Sequence, residues 1–333
     1  MKLISFKPLK PFFFGGEVGF GDDYIAKSKY FPQTTQLLGA IRLFILEKKS
    51  LIKVYKNGRY VRDYSKTPQE DESIKKAIEL VGDENNLGKI KLISPMFVID
   101  KNNLYYPTPF DIQKIDGEYK ILEYKKIGDI KYLKNYKAKE GLKQYLGGKK
   151  FWESYVNNKI DSSDLKDFDD IFIEVSKVGI GVDKKENIEG MFYVKKAYLL
   201  KEGYKLACFI DFDDEFNFNG KITLGADGSV FEINEEKIDN YKLHVIYKAF
   251  CEDKKFFSNK KVAISDVFYP ESVKAEFKII PQSSTFEIID KTKDTFKGKK
   301  ESKRIYKRGC VFYNATLPSV DGIYKLMQYN KFI

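Results

Sequence analysis

Between residues 171 and 314 the chain is written as short apolar runs separated by polar clusters, and several alternate in and out. The alternation is visible in Ile171-Phe172-Ile173-Glu174-Val175 and in Tyr241-Lys242-Leu243-His244-Val245. A period of two sends successive side chains to opposite faces of a sheet, and short runs joined by turns pair antiparallel. The pattern predicts strands at 171–180, 190–200, 205–212, 221–224, 229–233, 241–249, 262–268, 275–280, 285–290 and 304–314. The charged, Gly-containing stretch 291–303 is predicted as a long flexible loop between the last two. No run of about 18 apolar residues occurs, so no membrane-spanning helix is predicted.

The first half mixes the two periods. A strand is predicted near 2–8, followed by the aromatic and glycine segment FFFGGEVGFGDD. A helix is predicted at 34–47, where Leu37, Leu38, Ile41, Phe44 and Ile45 recur at the spacing of one buried face. Thr34 or Thr35 is placed to cap it, behind Pro32. A second helix is predicted near 68–81. Thr67 and Glu70 form a capping box, Pro68 takes the first helical position, Gly82 follows the last turn, and Ile74, Ala77, Ile78 and Val81 make the stripe. Strands at 90–99 and 104–106 flank the turn Lys101-Asn102-Asn103. A Lys/Tyr-rich stretch and a helix at 141–156 complete the half. The acidic segment 157–170 is the predicted boundary, which gives an α+β chain of two domains, 1–165 and 166–333, with antiparallel sheets.

Charge narrows the partners. The chain carries a formal net charge of +11 at neutral pH, and the excess is concentrated. Residues 120–150 set ten lysines against Glu123, Asp129 and Glu140, with Tyr124, Tyr132, Tyr136 and Tyr145 interleaved. Residues 291–308 set nine Lys and Arg against Asp294 and Glu301. Segregated cations interleaved with aromatics fit a polyanion, because each phosphate neutralised releases counterions. The broken apolar start makes a poor signal peptide. Cys208, Cys251 and Cys310 lie too far apart for a disulfide ladder or a CxxC half-site, and a cytoplasmic protein is expected.

Little in the sequence suits catalysis. His244 is the only histidine, and on a predicted strand it reads as an ordinary sheet residue. A Ser-His-Asp triad or a His-rich metal centre is then hard to build. Asp167, Asp169 and Asp170, or Asp211, Asp213, Asp214 and Glu215, have the oxygen chemistry for Mg²⁺, but solvated loop acids explain them more simply. Gly15-Gly16…Gly19…Gly21 and Gly179-Ile180-Gly181 lack the spacing of a nucleotide loop. No catalytic residue, metal or cofactor is expected.

An ordered set of short motifs resembles one family. Ser28-Lys29-Tyr30-Phe31-Pro32-Gln33-Thr34-Thr35 runs into Leu38-Gly39-Ala40-Ile41-Arg42. Pro95-Met96-Phe97 and Tyr105-Tyr106-Pro107-Thr108-Pro109 form a hairpin pattern, and Gly141-Leu142 with Tyr145-Leu146-Gly147-Gly148 follow it. Glu174, Lys177, Gly179-Ile180 and Glu189-Gly190-Met191-Phe192-Tyr193 come next, then Lys307-Arg308-Gly309-Cys310-Val311-Phe312-Tyr313. Laid in this order over nearly the whole chain, they resemble the RAMP superfamily of CRISPR systems. Within it they are similar to subunit three of the type III-B effector, the Cmr complex. Lys177 stands where that family usually has arginine, and Gln33 where it has proline.

The resemblance implies two ferredoxin-like (RRM-like) domains with long inserted loops. It implies a non-catalytic subunit that grips the 5′ repeat-derived handle of the crRNA in antiviral defence. The implied protein partners are the large polymerase-like subunit and the backbone RAMP subunits, with no membrane involved. Single-stranded RNA is held through phosphates, 2′-hydroxyls and stacked bases. Lys29, Tyr30, Phe31, Gln33 and Thr34 supply such groups ahead of a helix start, with Arg42 two turns on and Lys149, Lys150, Lys177, Lys307 and Arg308 as further cations. Phe12-Phe13-Phe14 fits a core or subunit interface better than a stacking platform. The alternative within the superfamily is an endoribonuclease processing CRISPR precursor RNA, which needs a general base and a general acid.

Overall fold

The central strand of the first unit is Lys2–Pro8, and its sequence explains its position: Leu3, Ile4, Ser5 and Phe6 are all fully buried. Successive residues are buried on both faces of the strand, so it reads as a continuous run without alternation. Buried Ser5 is kept satisfied by a 2.6 Å hydrogen bond from its hydroxyl to Glu236. Lys2–Pro8 pairs antiparallel with Lys205–Phe212 on one side and Val230–Glu236 on the other. Ile90–Ile93 extends the sheet beyond Lys205–Phe212, and Gly220–Thr223 extends it beyond Val230–Glu236.

The computed structural model describes residues 1–15, 25–51, 72–83, 86–180, 192–226, 228–268, 272–280, 283–289, 299–320 and 322–333. The capping box Thr67-Pro68-Glu70, the glycines 16, 19 and 21, Gly181, Glu189-Gly190-Met191 and the cations of 291–298 lie outside these residues. The described chain forms two compact units. The first comprises 1–96, 172–238 and 322–327; the second comprises 97–171, 239–321 and 328–333. Both units draw residues from each of the expected linear halves, 1–165 and 166–333. The acidic segment does sit near a crossing, but the chain passes back and forth because sheet partners are recruited from both halves. The class is mixed α/β and rich in strands, and nearly all pairings are antiparallel. Among the described residues no helix is long and apolar enough to cross a membrane.

In the first unit, helix α1 (Thr34–Lys48) buries Leu37, Leu38, Ile41, Phe44 and Ile45, the stripe expected from spacing. Its cap is Gln33 rather than Thr34 or Thr35; the Gln36 side chain accepts the Gln33 amide at 3.3 Å. Thr34 is instead packed inside, 4% exposed. Helix α2 (Glu72–Val81) ends at Gly82, whose φ of +76° is the left-handed turn glycine takes cheaply. A separate three-stranded ribbon joins Ile25–Lys27, Phe192–Leu200 and Phe172–Ile180. The first pair is parallel and the second antiparallel.

In the second unit, Leu165–Lys166, Leu146–Gly147, Leu104–Pro107 and Phe97–Ile99 lie side by side. The Lys/Tyr-rich stretch is two hairpins, Ile112–Ile115 with Glu118–Ile121 and Glu123–Ile127 with Ile130–Lys134. Asp116 and Gly117 turn the first with φ of +52° and +88°, the geometry that matches strand twist. The predicted helix 141–156 shrinks to α3 (Lys149–Tyr155), because residues 146–147 pair as strand. Strands at 262–268 and 304–314 each split: Lys260–Val262 and Val267–Phe268, then Lys299–Tyr306 and Val311–Tyr313. The strand Lys299–Tyr306 takes part of the expected loop 291–303. The predicted strand 241–249 is overturned. Tyr241 ends a short 3-10 turn and Val245–Cys251 is helix α4, with Val245, Ile246, Ala249 and Phe250 buried at helical spacing. The second unit also encloses a polar cluster. Buried Lys260 lies 3.2 Å from Asp111, and Tyr155 donates its hydroxyl to both Asp111 oxygens at 2.9 Å.

Candidate nucleic-acid interface

The segment ahead of α1 is fixed by its own backbone before any side chain is counted. The Ser28 amide donates to the Lys196 carbonyl at 2.8 Å, and the Lys29 amide donates to the Phe14 carbonyl at 2.9 Å. The Ser28 hydroxyl accepts the Phe14 amide at 2.8 Å, inside the fold. The following aromatics turn toward a cluster. Tyr30 stacks on Tyr198 with ring centroids 4.5 Å apart and lies 4.9 Å from Phe172; Phe31 meets Phe172 edge-on at 5.8 Å. Phe12 and Phe14 are fully buried in this cluster, as expected of core residues. Tyr30 and Phe31 are thus half-buried packing residues, each with only part of its ring left for anything else.

Beside this segment the ribbon brings charges into register. Lys177 pairs directly with Lys195 across Phe172–Ile180 and Phe192–Leu200, so both ammonium groups rise from one face. Like charges placed opposite each other destabilise a sheet by themselves. The Lys195 ammonium lies 4.1 Å from the Phe13 ring centre. Partial burial, and secondarily Lys177, draws its pKa below the ordinary lysine value. The other face is neutralised: Glu174 holds Lys196 at 2.8 Å and Lys27 at 3.7 Å. The Lys196 hydrogen bond in turn keeps the Glu174 carboxyl acidic. Lys177 and the segment 29–33 therefore belong to one unit and neighbouring elements. Lys195 escaped the sequence reading because only strand register shows that it faces Lys177.

The remaining candidates have structural employment. Arg42 is clamped on the loop after α2, donating to the carbonyls of Asp83 and Asn86 at 2.8 and 2.6 Å. Burial lowers its pKa, with Asp83 opposing. At the start of α3 the Asp164 carboxylate takes the Lys150 and Phe151 amides at 2.7 and 2.9 Å, so that anion position is filled from within. The Lys149 side chain reaches Glu153 at 3.8 Å, leaving Lys149 and Lys150 as surface cations. The Arg308 guanidinium lies 5.2 Å from the centre of the Tyr106 ring, and its amide donates to Asp266. Lys307 is half-buried in the same loop. A Cβ on the next residue, Gly309, would come within 2.8 Å of the Thr108 carbonyl, so this glycine loop is packing against the 108–110 turn. Lys149, Lys150, Lys307 and Arg308 belong to the second unit, away in the chain from the 29–33 segment.

The acids are engaged as well. Asp167 pairs with Lys143, Asp213 with Lys91, and Asp214 with Lys49 and Lys89. Among the described residues no group of three or more His, Cys, Asp or Glu is arranged to hold a metal ion. His244 is 2% exposed and caps α4, its Nδ1 accepting the Ile246 amide at 3.1 Å. Burial drives its pKa down to about 3, so it stays neutral at physiological pH. That leaves it without the proton traffic the endoribonuclease alternative would require.

Comparison with known proteins follows the same line. The family model described as CRISPR-associated protein (Cas_Cmr3) matches residues 4–245. The chain belongs to the Cas_Cmr3 family. No curated protein matches it. Among solved structures, a chain of the type III-B Cmr-beta complex bound to cognate target RNA and AMPPnP is similar with a TM-score of 0.51 at 14% identity. That match covers 94% of this chain and 86% of the other. A Cmr-beta complex with cognate target RNA gives 0.50 at 14% identity, over 94% and 86%. A chain of the Csm3-Csm4 subcomplex of a type III-A interference complex gives 0.48 at 12%, over 97% and 96%. The Cas_Cmr3 chain thus shares its fold with a subunit of the type III-B Cmr assembly.

Proposed function

We propose that this Cas_Cmr3 chain is a non-catalytic subunit of a type III-B ribonucleoprotein effector in antiviral defence. Its ribbon face bearing Lys177 and Lys195 holds the 5′ handle of the crRNA, and other surfaces dock the large polymerase-like subunit and the backbone RAMP subunits. Two ferredoxin-like halves and a cytoplasmic setting belong to the same reading. The observation that carries it is the Lys177–Lys195 pair, set cross-strand on one face beside Phe13. A phosphate between two such ammonium groups relieves their repulsion and gains from both. The similar Cmr-beta structures, which are bound to cognate target RNA, support the setting.

Titrating labelled handle RNA against salt tests the assignment. For a single strand the log-log slope is about −0.7 per phosphate neutralised. Lys177→Gln is expected to flatten it by roughly one such contact and to weaken all sequences alike, with no loss of melting temperature. Unchanged affinity and slope in folded Lys177→Glu and Lys195→Gln variants would overturn the assignment of RNA to this face.

A further inference from the structure

The hairpin Glu123–Ile127 with Ile130–Lys134 has two faces of different character. Register places Tyr124 with Leu133 and Lys126 with Lys131 on one side. That side is used up within its own unit: Tyr124 lies 5.1 Å from both Phe277 and Tyr313, and Lys126 reaches Glu276 at 3.0 Å. The other side carries the pairs Glu123–Lys134, Lys125–Tyr132 and Ile127–Ile130. Ile127, Ile130 and Tyr132 are 66%, 69% and 39% exposed, and Tyr136 just beyond is 42% exposed.

We infer that this outward face is a second contact for single-stranded RNA, separate from the Lys177–Lys195 face and built on the other unit. Tyr132 offers a ring for base stacking. Lys125 stands directly across from it, bridged at 3.0 Å to Glu123 on the solvent side, and Lys134 lies two residues along the same face, both within reach of phosphates that would compete with that exposed pair. Ile127 and Ile130 form an apolar ledge for the neighbouring base or sugar. Charge selects the occupant. From Glu123 to Lys139 there are six lysines; Lys126 and Lys137 are held by Glu276 and Asp116, and the other four outnumber Glu123 and Asp129, an imbalance that suits a polyanion. Exposed rings between cations, on a rigid antiparallel pair, bind single strands without demanding a sequence. The inference rests on the chain being an RNA-binding subunit, but not on which residues of the first unit do the binding.

The test uses the full chain and a fluorescein-labelled oligouridylate of about 20 nucleotides, several times the shortest site of a single-strand binder. Tyr132→Ala is expected to weaken binding about 5- to 100-fold with little change in salt slope. Lys125→Gln with Lys134→Gln should flatten the slope by about 1.4, two contacts' worth. Melting temperatures should hold, since Ile127, Ile130 and Tyr132 are exposed, and ultraviolet crosslinking should label Tyr132. Full affinity and slope in these variants, with binding still lost in Lys177→Glu, would overturn the hairpin contact alone. Loss of a copurifying protein subunit in place of RNA would make the hairpin a protein dock and also overturn it. A wild-type chain that binds no RNA would overturn this contact and the proposed function together.

Discussion

His244 shows how placement sets chemistry. As a helix cap it needs Nδ1 as an acceptor, which only the neutral ring with its proton on Nε2 supplies, and burial enforces neutrality down to about pH 3. An unfolded histidine, by contrast, takes its proton near 6.5. Between those values the unfolded chain binds a proton that the folded chain refuses. The contribution is therefore present above the unfolded pKa and is lost as pH falls toward the folded one. Urea unfolding from about pH 7 to about pH 5 should show stability declining, with this group adding up to about 1.36 kcal/mol per pH unit. His244→Asn keeps a capping acceptor and should remove that part of the slope; parallel profiles in the two proteins would contradict the assignment. Tyr30 belongs at the same scale. Because its ring is stacked on Tyr198, Tyr30→Ala should lower stability by about 1–3 kcal/mol, read by denaturant melts. A stable Tyr30→Ala protein would return the ring to RNA stacking.

At the scale of elements, α1 is where local signal and tertiary need agree. All five residues of its expected stripe are buried, and Ile41→Ala should cost about 2–5 kcal/mol in equilibrium unfolding. Its other face holds Arg42, which ties the loop after α2 by two carbonyl bonds. Arg42→Ala should cost about 1–3 kcal/mol and speed amide exchange near Asp83, whereas an RNA-gripping Arg42 would lose affinity and keep stability. α4 shows the opposite case. Tyr241 to Phe250 carries both an alternating pattern and apolar residues at 245, 246, 249 and 250, and a window this short fits either period. Packing of that four-residue stripe, together with the His244 cap, decided for helix. The hairpins of 112–134 were hidden for a related reason. Their outward positions are Lys, Tyr and Ile in solvent, so alternation of hydrophobicity is lost although the ladder is regular.

Across the whole molecule, the second unit is pinned by Asp111, Tyr155 and Lys260, which come from three distant points of the chain. Removing one partner leaves a buried charge alone. Asp111→Asn or Lys260→Met should cost about 3–5 kcal/mol, and the double variant should recover much of it, a coupling that a double-mutant cycle measures. Additive losses would mean that the pair contributes little. The sequence by itself determined a good deal. The strand-rich α+β class, α1 with its stripe, the hairpin 97–107 and the ordered motifs of a RAMP protein all follow from short-range periodicity and local residue identity. It also marked the segment before α1 as a candidate region, with Lys177 among the further cations. Tertiary structure alone decided which cations serve the fold and which face one another: Arg42, Arg308 and Lys260 are engaged inside, while Lys177 meets Lys195 across the ribbon. It decided, too, that the units interleave, since 172–238 completes the sheet begun by 2–8. The physical reason is common to all of these. Strand register, burial and charge pairing depend on partners beyond the reach of any local window, and no local pattern encodes the distance between two side chains that meet only after folding.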